Sequence, residues 1–144
     1  MTESTWDLDY VAHGDATCSG SATFLTVNIQ GPYTIGAPSA VSPGAHEATF
    51  SFSKKTVTAG QEAAVGFLKE KCGFDAKVGE PVDLANGCAN LGAYPLASCK
   101  DDHDIVRLEG NSLSFGKRPA DNNMCSPDKR PTTFEGGATV TKKG

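Results

Sequence analysis

The densest group of side chains able to do chemistry is Asp101-Asp102-His103-Asp104. An imidazole titrates near neutral pH and a neighbouring carboxylate can orient it. His103 with Asp102 or Asp104 could therefore act as the base of a small hydrolase or lyase. Clustered carboxylates are also the hard oxygen donors that hold divalent cations. The simpler expectation is a solvated turn ahead of a strand at Ile105–Glu109, because adjacent carboxylates repel and converge on one ion only in a loop shaped for it. His13 and His46 are isolated and read as surface or packed residues. No nucleophile elbow, zinc-protease helix motif or phosphate-cradling glycine loop occurs. The pattern implies no catalytic residue, no metal site and no cofactor.

Two other groups could serve binding. Lys117, Arg118, Lys129 and Arg130 bracket a loop that also holds Asp121 and Asp128. They could meet an anion or headgroup at a cavity mouth, though a charged hairpin end in water is the plainer reading. The aromatics Trp6, Tyr10, Phe24, Tyr33, Phe50, Phe52, Phe67 and Phe115 are expected in the core. Some could instead line a concave apolar pocket, since small barrels are either filled by side chains or hold one ligand. Strand facing would then assign Trp6, Tyr10, Leu25, Val27, Phe50 and Phe52 to the pocket wall, with Arg118 near its mouth.

The cysteines Cys18, Cys72, Cys88, Cys99 and Cys125 lack metal-ligand spacing and sit among Gly-rich, Pro-rich, strand-like segments. That combination reads as a disulfide-stapled extracellular β-domain, since structural disulfides persist outside the reducing cytosol. The odd count leaves one thiol free or paired outside this chain. Met1–Thr5 is polar and has no apolar run of the signal-peptide kind, so the natural signal is expected to have been removed, with Met1 a fragment edge. No Asn-x-Ser/Thr sequon is present. A chain of 144 residues suits a single domain over 1–144. The net charge of −4, with both signs intermixed, argues against nucleic acid or an anionic membrane as partner. Mean hydropathy is −0.30 and no run is long enough for a transmembrane helix.

Those groups need strands to position them. Trp6, Leu8 and Tyr10 alternate with Asp7 and Asp9, the period of a half-buried strand. Between Thr23 and Ile29, Thr23, Leu25, Val27 and Ile29 share one face; Gly31-Pro32 then punctuates the run and Tyr33–Ile35 resumes it. Gly36–Gly44 reads as loop and His46–Ser53 as a strand. Thr58-Ala59-Gly60-Gln61 fits a capping box, and Ala64, Val65, Leu68 and Cys72 follow as an apolar stripe closed by Gly73. The spacing predicts a helix over about 58–72, with the Cys72 thiol on its buried side. Val78, Val82 and Leu84 could form a short strand. Ile105–Glu109 and Ser112–Phe115 flank Gly110-Asn111, a two-residue hairpin signal. Lys117–Pro131 is a polar loop, and Thr132–Thr141 a last edge strand. The class is mainly β, an antiparallel barrel or half-barrel with one helix.

The order of Tyr33-Thr34-Ile35-Gly36, Gly44-Ala45-His46-Glu47-Ala48, Val57-Thr58, Leu68 and Cys72-Gly73 resembles a domain of the APCDD (adenomatosis polyposis coli down-regulated) family. Gly87-Cys88, Asp104-Ile105-Val106, Leu113, Phe115-Gly116, Arg118-Pro119, Cys125 and Arg130-Pro131 continue the likeness, which spans Trp6 to Phe134. The resemblance implies a lipocalin-like half-barrel, secreted or at the cell surface, that holds a lipid or acyl-bearing ligand in an apolar cavity. It also implies that Cys18 normally pairs with a strand absent here, so the first strand of the domain is missing. With Cys18 so placed, the pairs that follow are Cys72–Cys88 and Cys99–Cys125. An unfilled sheet edge would invite a second copy or a partner strand.

Taken together, the sequence points to a non-enzymatic extracellular module that sequesters a hydrophobic small molecule or lipid. A structural or adhesive domain with a filled core is the first alternative, and the His103 hydrolase or lyase the second.

Overall fold

The computed structural model describes residues 1–18 and 23–141. They form mainly antiparallel β structure with one α-helix, as the alternating apolar pattern requires. The strands are β1 (Thr5–His13), β2 (Thr23–Pro38), β3 (His46–Ser51), β4 (Lys54–Ala59), β5 (Pro81–Asp83), β6 (Asp101–Glu109), β7 (Ser112–Phe115) and β8 (Thr139–Thr141), and the helix α1 is Glu62–Cys72. The chain divides into two compact units, residues 1–31 with 52–98 and residues 32–51 with 99–144.

In the first unit β2 pairs antiparallel with β4, from Leu25↔Ala59 to Gln30↔Lys54. β4 also pairs with β5, and β1 pairs with β2. Alternation turns Leu25, Val57 and Ala59 to one face, where Ala64 and Leu68 of α1 cover them. Ala76, Leu84 and Cys88 complete that core. The Cys72–Cys88 disulfide ties the last turn of α1 to the segment after β5. Gly73, at φ +73°, stops the helix in the left-handed conformation, where the orphan carbonyls of Leu68 and Lys69 find N–H donors.

The helix begins later than 58. Thr58 is a β4 residue paired with Thr26, Gln61 is the cap residue, and no side chain caps the helix. Ladder pairing with β2 outcompetes the capping box because β-branched Thr58 sits in a continuous run of strand bonds. Gly60 makes the exit from β4 feasible. A Cβ there would lie 2.1 Å from the Thr23 carbonyl oxygen, while its N–H donates to Phe24 O at 2.8 Å. β4 has no counterpart among the strands expected from the sequence.

β2 is one strand, not two. The ladder to β4 ends at Gln30 and the ladder to β3 begins at Tyr33, so Gly31-Pro32 marks a change of partner instead of a break. Proline lacks an N–H and fits where the ladder asks for none.

In the second unit β3 pairs with the end of β2 and with β6, and β6 with β7. β8 closes that order on β7 and is shorter than the expected 132–141. Glu109 pairs with Ser112 around Gly110-Asn111, and Gly110 takes φ +58° at the first turn position, as a type II′ hairpin demands. Where β7 stops, the loop Lys117–Pro131 takes over the edge of β6. The His103 N–H donates to Met124 O at 2.8 Å, and Gly116 N–H to Ile105 O at 3.0 Å. The Cys99–Cys125 disulfide fastens this loop to the start of β6. Ala45, Ala48, Phe50, Ile105, Val106 and Met124 are buried apolar side chains of this unit.

Candidate functional site

Of the seven side chains assigned to a pocket, Trp6, Tyr10, Leu25, Val27 and Phe52 lie in the first unit, and Phe50 and Arg118 in the second. Leu25 is buried under α1 and Val27 packs against the same core, so both are structural filling. Trp6 and Phe52 do meet, with ring centroids 5.9 Å apart and planes tilted by 48°. Tyr10 is 63% exposed, which corrects its assignment to the core; β1 pairs only with β2 among the described residues, and of this face Ala12, not Tyr10, packs against the core under α1. In the second unit Phe50 is buried, stacked on Tyr33 at 5.9 Å and tilted against Phe115 at 5.7 Å.

The alternation of β1 sorts its side chains. Asp7 and Asp9 face the side where Asn28 Nδ2 donates to both carboxylates, at 2.7 and 2.8 Å, and Gln30 Nε2 reaches Asp7 at 3.3 Å. Trp6, Leu8, Tyr10 and Ala12 therefore share the other face, on which Ala12 packs against the helix-covered core. Leu8 is 42% exposed. Trp6, Leu8 and Tyr10 thus form an apolar strip that continues the core face past the end of the helix cover. At the Trp6 end lies Lys55, which the sequence reading passed over. It is 6% exposed, and its Nζ stands 3.7 Å from the Phe52 ring centroid. Its period-2 alternation with Val57 and Ala59 was the signal that placed it on the buried face.

The acidic cluster is not a solvated turn. Asp101–Asp104 are the first residues of β6, paired with Ser51, Phe50, Thr49 and Ala48. Alternation sends Asp102 and Asp104 to one face, both buried, and His103 to the other. The His103 base with a carboxylate orienter is therefore not assembled: Asp102 accepts from Arg118 Nη2 at 2.6 Å, and His103 Nδ1 is buried without a hydrogen-bond partner. On the His103 side lies Asp128, held below the usual carboxylate range first by the Ser126 hydroxyl it accepts from, at 2.6 Å.

Asp104 is the most perturbed group. Its Oδ1 accepts the N–H of Ile105 at 2.7 Å and of Gly116 at 3.0 Å. Desolvation nevertheless dominates and pushes its carboxyl up to about 6, with Asp102 adding to the rise and the two N–H bonds and Arg118 opposing it. The two ends of the loop are clipped by guanidinium groups. Arg118 bonds Asp102 and, through Nε at 2.5 Å, Asn122; Arg130 Nη1 bonds the Ala48 carbonyl at 2.8 Å and the Asp104 carbonyl, with Glu47 at 3.6 Å from Nη2. Arg118 is thus a structural clip. Among the described residues no three His, Cys, Asp or Glu side chains are arranged to hold a metal ion.

Cys72–Cys88 and Cys99–Cys125 are the two bridges, and Cys18 is an exposed free thiol. No helix among the described residues is long and apolar enough to cross a membrane. Compared with protein-family models and with curated proteins, the sequence matches none.

Proposed function

We propose that the chain is an extracellular, non-enzymatic module that binds a hydrophobic small molecule or lipid on the Trp6–Leu8–Tyr10 strip. The observation that carries this reading is that strip: apolar side chains standing in water beside a core face, where a ligand would continue the burial that α1 begins. Each Å² of apolar surface so covered contributes about 25 cal/mol, and few polar anchors are needed. Two disulfides suit an oxidising compartment. The order of motifs similar to the APCDD domain supports the same class of ligand.

Trp6 is the sole tryptophan, so its emission reports the strip directly. Titration with dodecanol should shift that emission saturably. Replacing Leu8 and Tyr10 together by Ser should weaken the binding about tenfold or more, the loss of roughly 1.4 kcal/mol of contact, while both side chains are exposed enough to leave the melting temperature nearly unchanged. A protein whose Trp6 emission ignores aliphatic alcohols and isoprenoids alike is instead a filled-core interaction domain.

A further inference from the structure

We propose that the outer edge of β1 docks an extended polypeptide segment, which adds as a further strand and carries basic side chains at alternate positions to meet Asp7 and Asp9. The proposal goes beyond the ligand strip and does not depend on that strip's holding a lipid.

A strand edge presents a row of backbone N–H and C=O groups that invites another strand, and proteins blunt such edges by shortening them or by placing proline or lysine on them. The edge strands β5 and β8 follow that rule: each has three residues, and β5 opens on Pro81. β1 does not. It has nine residues, contains neither proline nor lysine, and among the described residues pairs only with β2. That pairing uses the backbone groups of every second residue and leaves the others directed outward. From Asp7 to Val11 each successive residue is exposed, on both faces, so among the described residues no other segment covers the strand there.

The two carboxylates decide which strand fits. Asp7 and Asp9 share one face and accept from the amides of Asn28 and Gln30, which are neutral donors and leave both negative charges in place. A second copy of β1 meets those charges with its own. The antiparallel register that pairs all nine residues of two copies centres on Asp9 and sets its carboxylate opposite itself, and the register centred on Leu8 sets Asp7 opposite Asp9. Like charges directly opposite are destabilising, and registers that escape this pair fewer residues. An incoming strand with lysine or arginine at alternate positions instead sets opposite charge against both carboxylates. Its intervening side chains fall beside Leu8 and Tyr10, which are 42% and 63% exposed, so apolar residues suit those positions. The chain's net charge of −4 favours the approach of a basic segment.

The probe is a fluorophore-labelled peptide that alternates lysine and valine over the length of β1, followed by fluorescence anisotropy at low salt. It should bind saturably, and hydrogen exchange of the β1 amides should slow in the complex. The same peptide methylated at every backbone nitrogen keeps its charges and side chains but cannot join a ladder, so it should not bind; nor should a peptide with glutamate in place of lysine. Asp7→Asn combined with Asp9→Asn keeps oxygens that accept from Asn28 and should weaken the lysine peptide roughly fivefold, the size of two cross-strand ion pairs. Failure of the lysine peptide to bind overturns the proposal, whereas the dodecanol titration of Trp6 reports separately on the strip. Equal binding of the methylated peptide, or β1 amides whose exchange is unchanged, shows attraction by charge alone and overturns the docking edge. Equal binding of the glutamate peptide overturns the choice of a basic partner. A protein that by itself dimerises with its β1 amides protected overturns the proposal in favour of a second copy.

Discussion

Asp104 is the residue whose replacement tests the second unit most directly. Its carboxyl is 3% exposed and retains a proton up to about 6, whereas the ordinary value is 3.8. Between those two values the folded protein holds a proton that the unfolded chain has released. Stability must therefore fall as pH rises through this window, and level off above it. The gap from 3.8 to about 6 corresponds to about 3 kcal/mol, present as extra stability below pH 4 relative to pH 7. Asp104→Asn keeps an Oδ1 that can accept from Ile105 and Gly116, and removes the charge. The variant should lose this contribution to the pH dependence and, at pH 7, be more stable than the parent by about 1–3 kcal/mol, the lower end reflecting the new amide N–H group's need for an acceptor. Urea unfolding of both proteins at intervals from pH 4 to pH 8 measures the difference, in which other titrating groups cancel. A difference that does not change across that range would falsify the argument, and so would an Asn variant that is less stable at pH 7 than at pH 4 relative to the parent.

Further outcomes follow from the covalent and steric constraints. Removing the Cys72–Cys88 pair by double Ala substitution should lower stability by about 3 kcal/mol, and removing Cys99–Cys125 by about 0.4 kcal/mol more, since the closed segments span 16 and 26 residues; chemical denaturation without reductant measures both, and a cost below about 1 kcal/mol for either pair contradicts the chain-entropy account. Gly60→Ala would force a Cβ to within 2.1 Å of the Thr23 carbonyl and should cost at least about 2 kcal/mol, and a variant of unchanged melting temperature would show that β4 does not leave its ladder there.

The parts of the fold legible in sequence were those set by short-range rules. The stripe Ala64, Leu68 and Cys72, the stop at Gly73, and the Glu109–Ser112 hairpin depend on residues a few positions apart, and each stands where the pattern put it. The failures share one cause, which is that a ladder partner far away in sequence overrode a local signal. Thr58 read as a helix cap because Gln61 followed it, yet Thr26 across the ladder claimed its backbone. Gly31-Pro32 read as a break because the residues alone say so; only the exchange of β4 for β3 as partner explains why a strand runs through them. The thiols fall between these cases. Cys72 was placed on a buried face by periodicity, but its partner Cys88 lies across a segment with no period to read.

The same distinction governs the site. Asp101–Asp104 looked hydrophilic enough for a turn, and composition alone supports that. Inside β6, however, alternation separates His103 from its neighbours, and burial then obliges each carboxylate to find donors: Arg118 for Asp102, and the backbone of Ile105 and Gly116 for Asp104. A cluster that reads as catalytic in one dimension is divided between two faces in three. Lys55 is the converse. Nothing in the sequence singles it out, and a single strand assignment places it on a core face, its ammonium over the half-buried Phe52 ring that Trp6 also meets. Charged residues thus exchange roles once the ladders are known. Those of the acidic cluster hold a loop in place, and Lys55 turns in to a core face. Where the chemistry lies in a β-protein of this kind is decided less by which polar residues are abundant than by which of them the two-residue period turns inward.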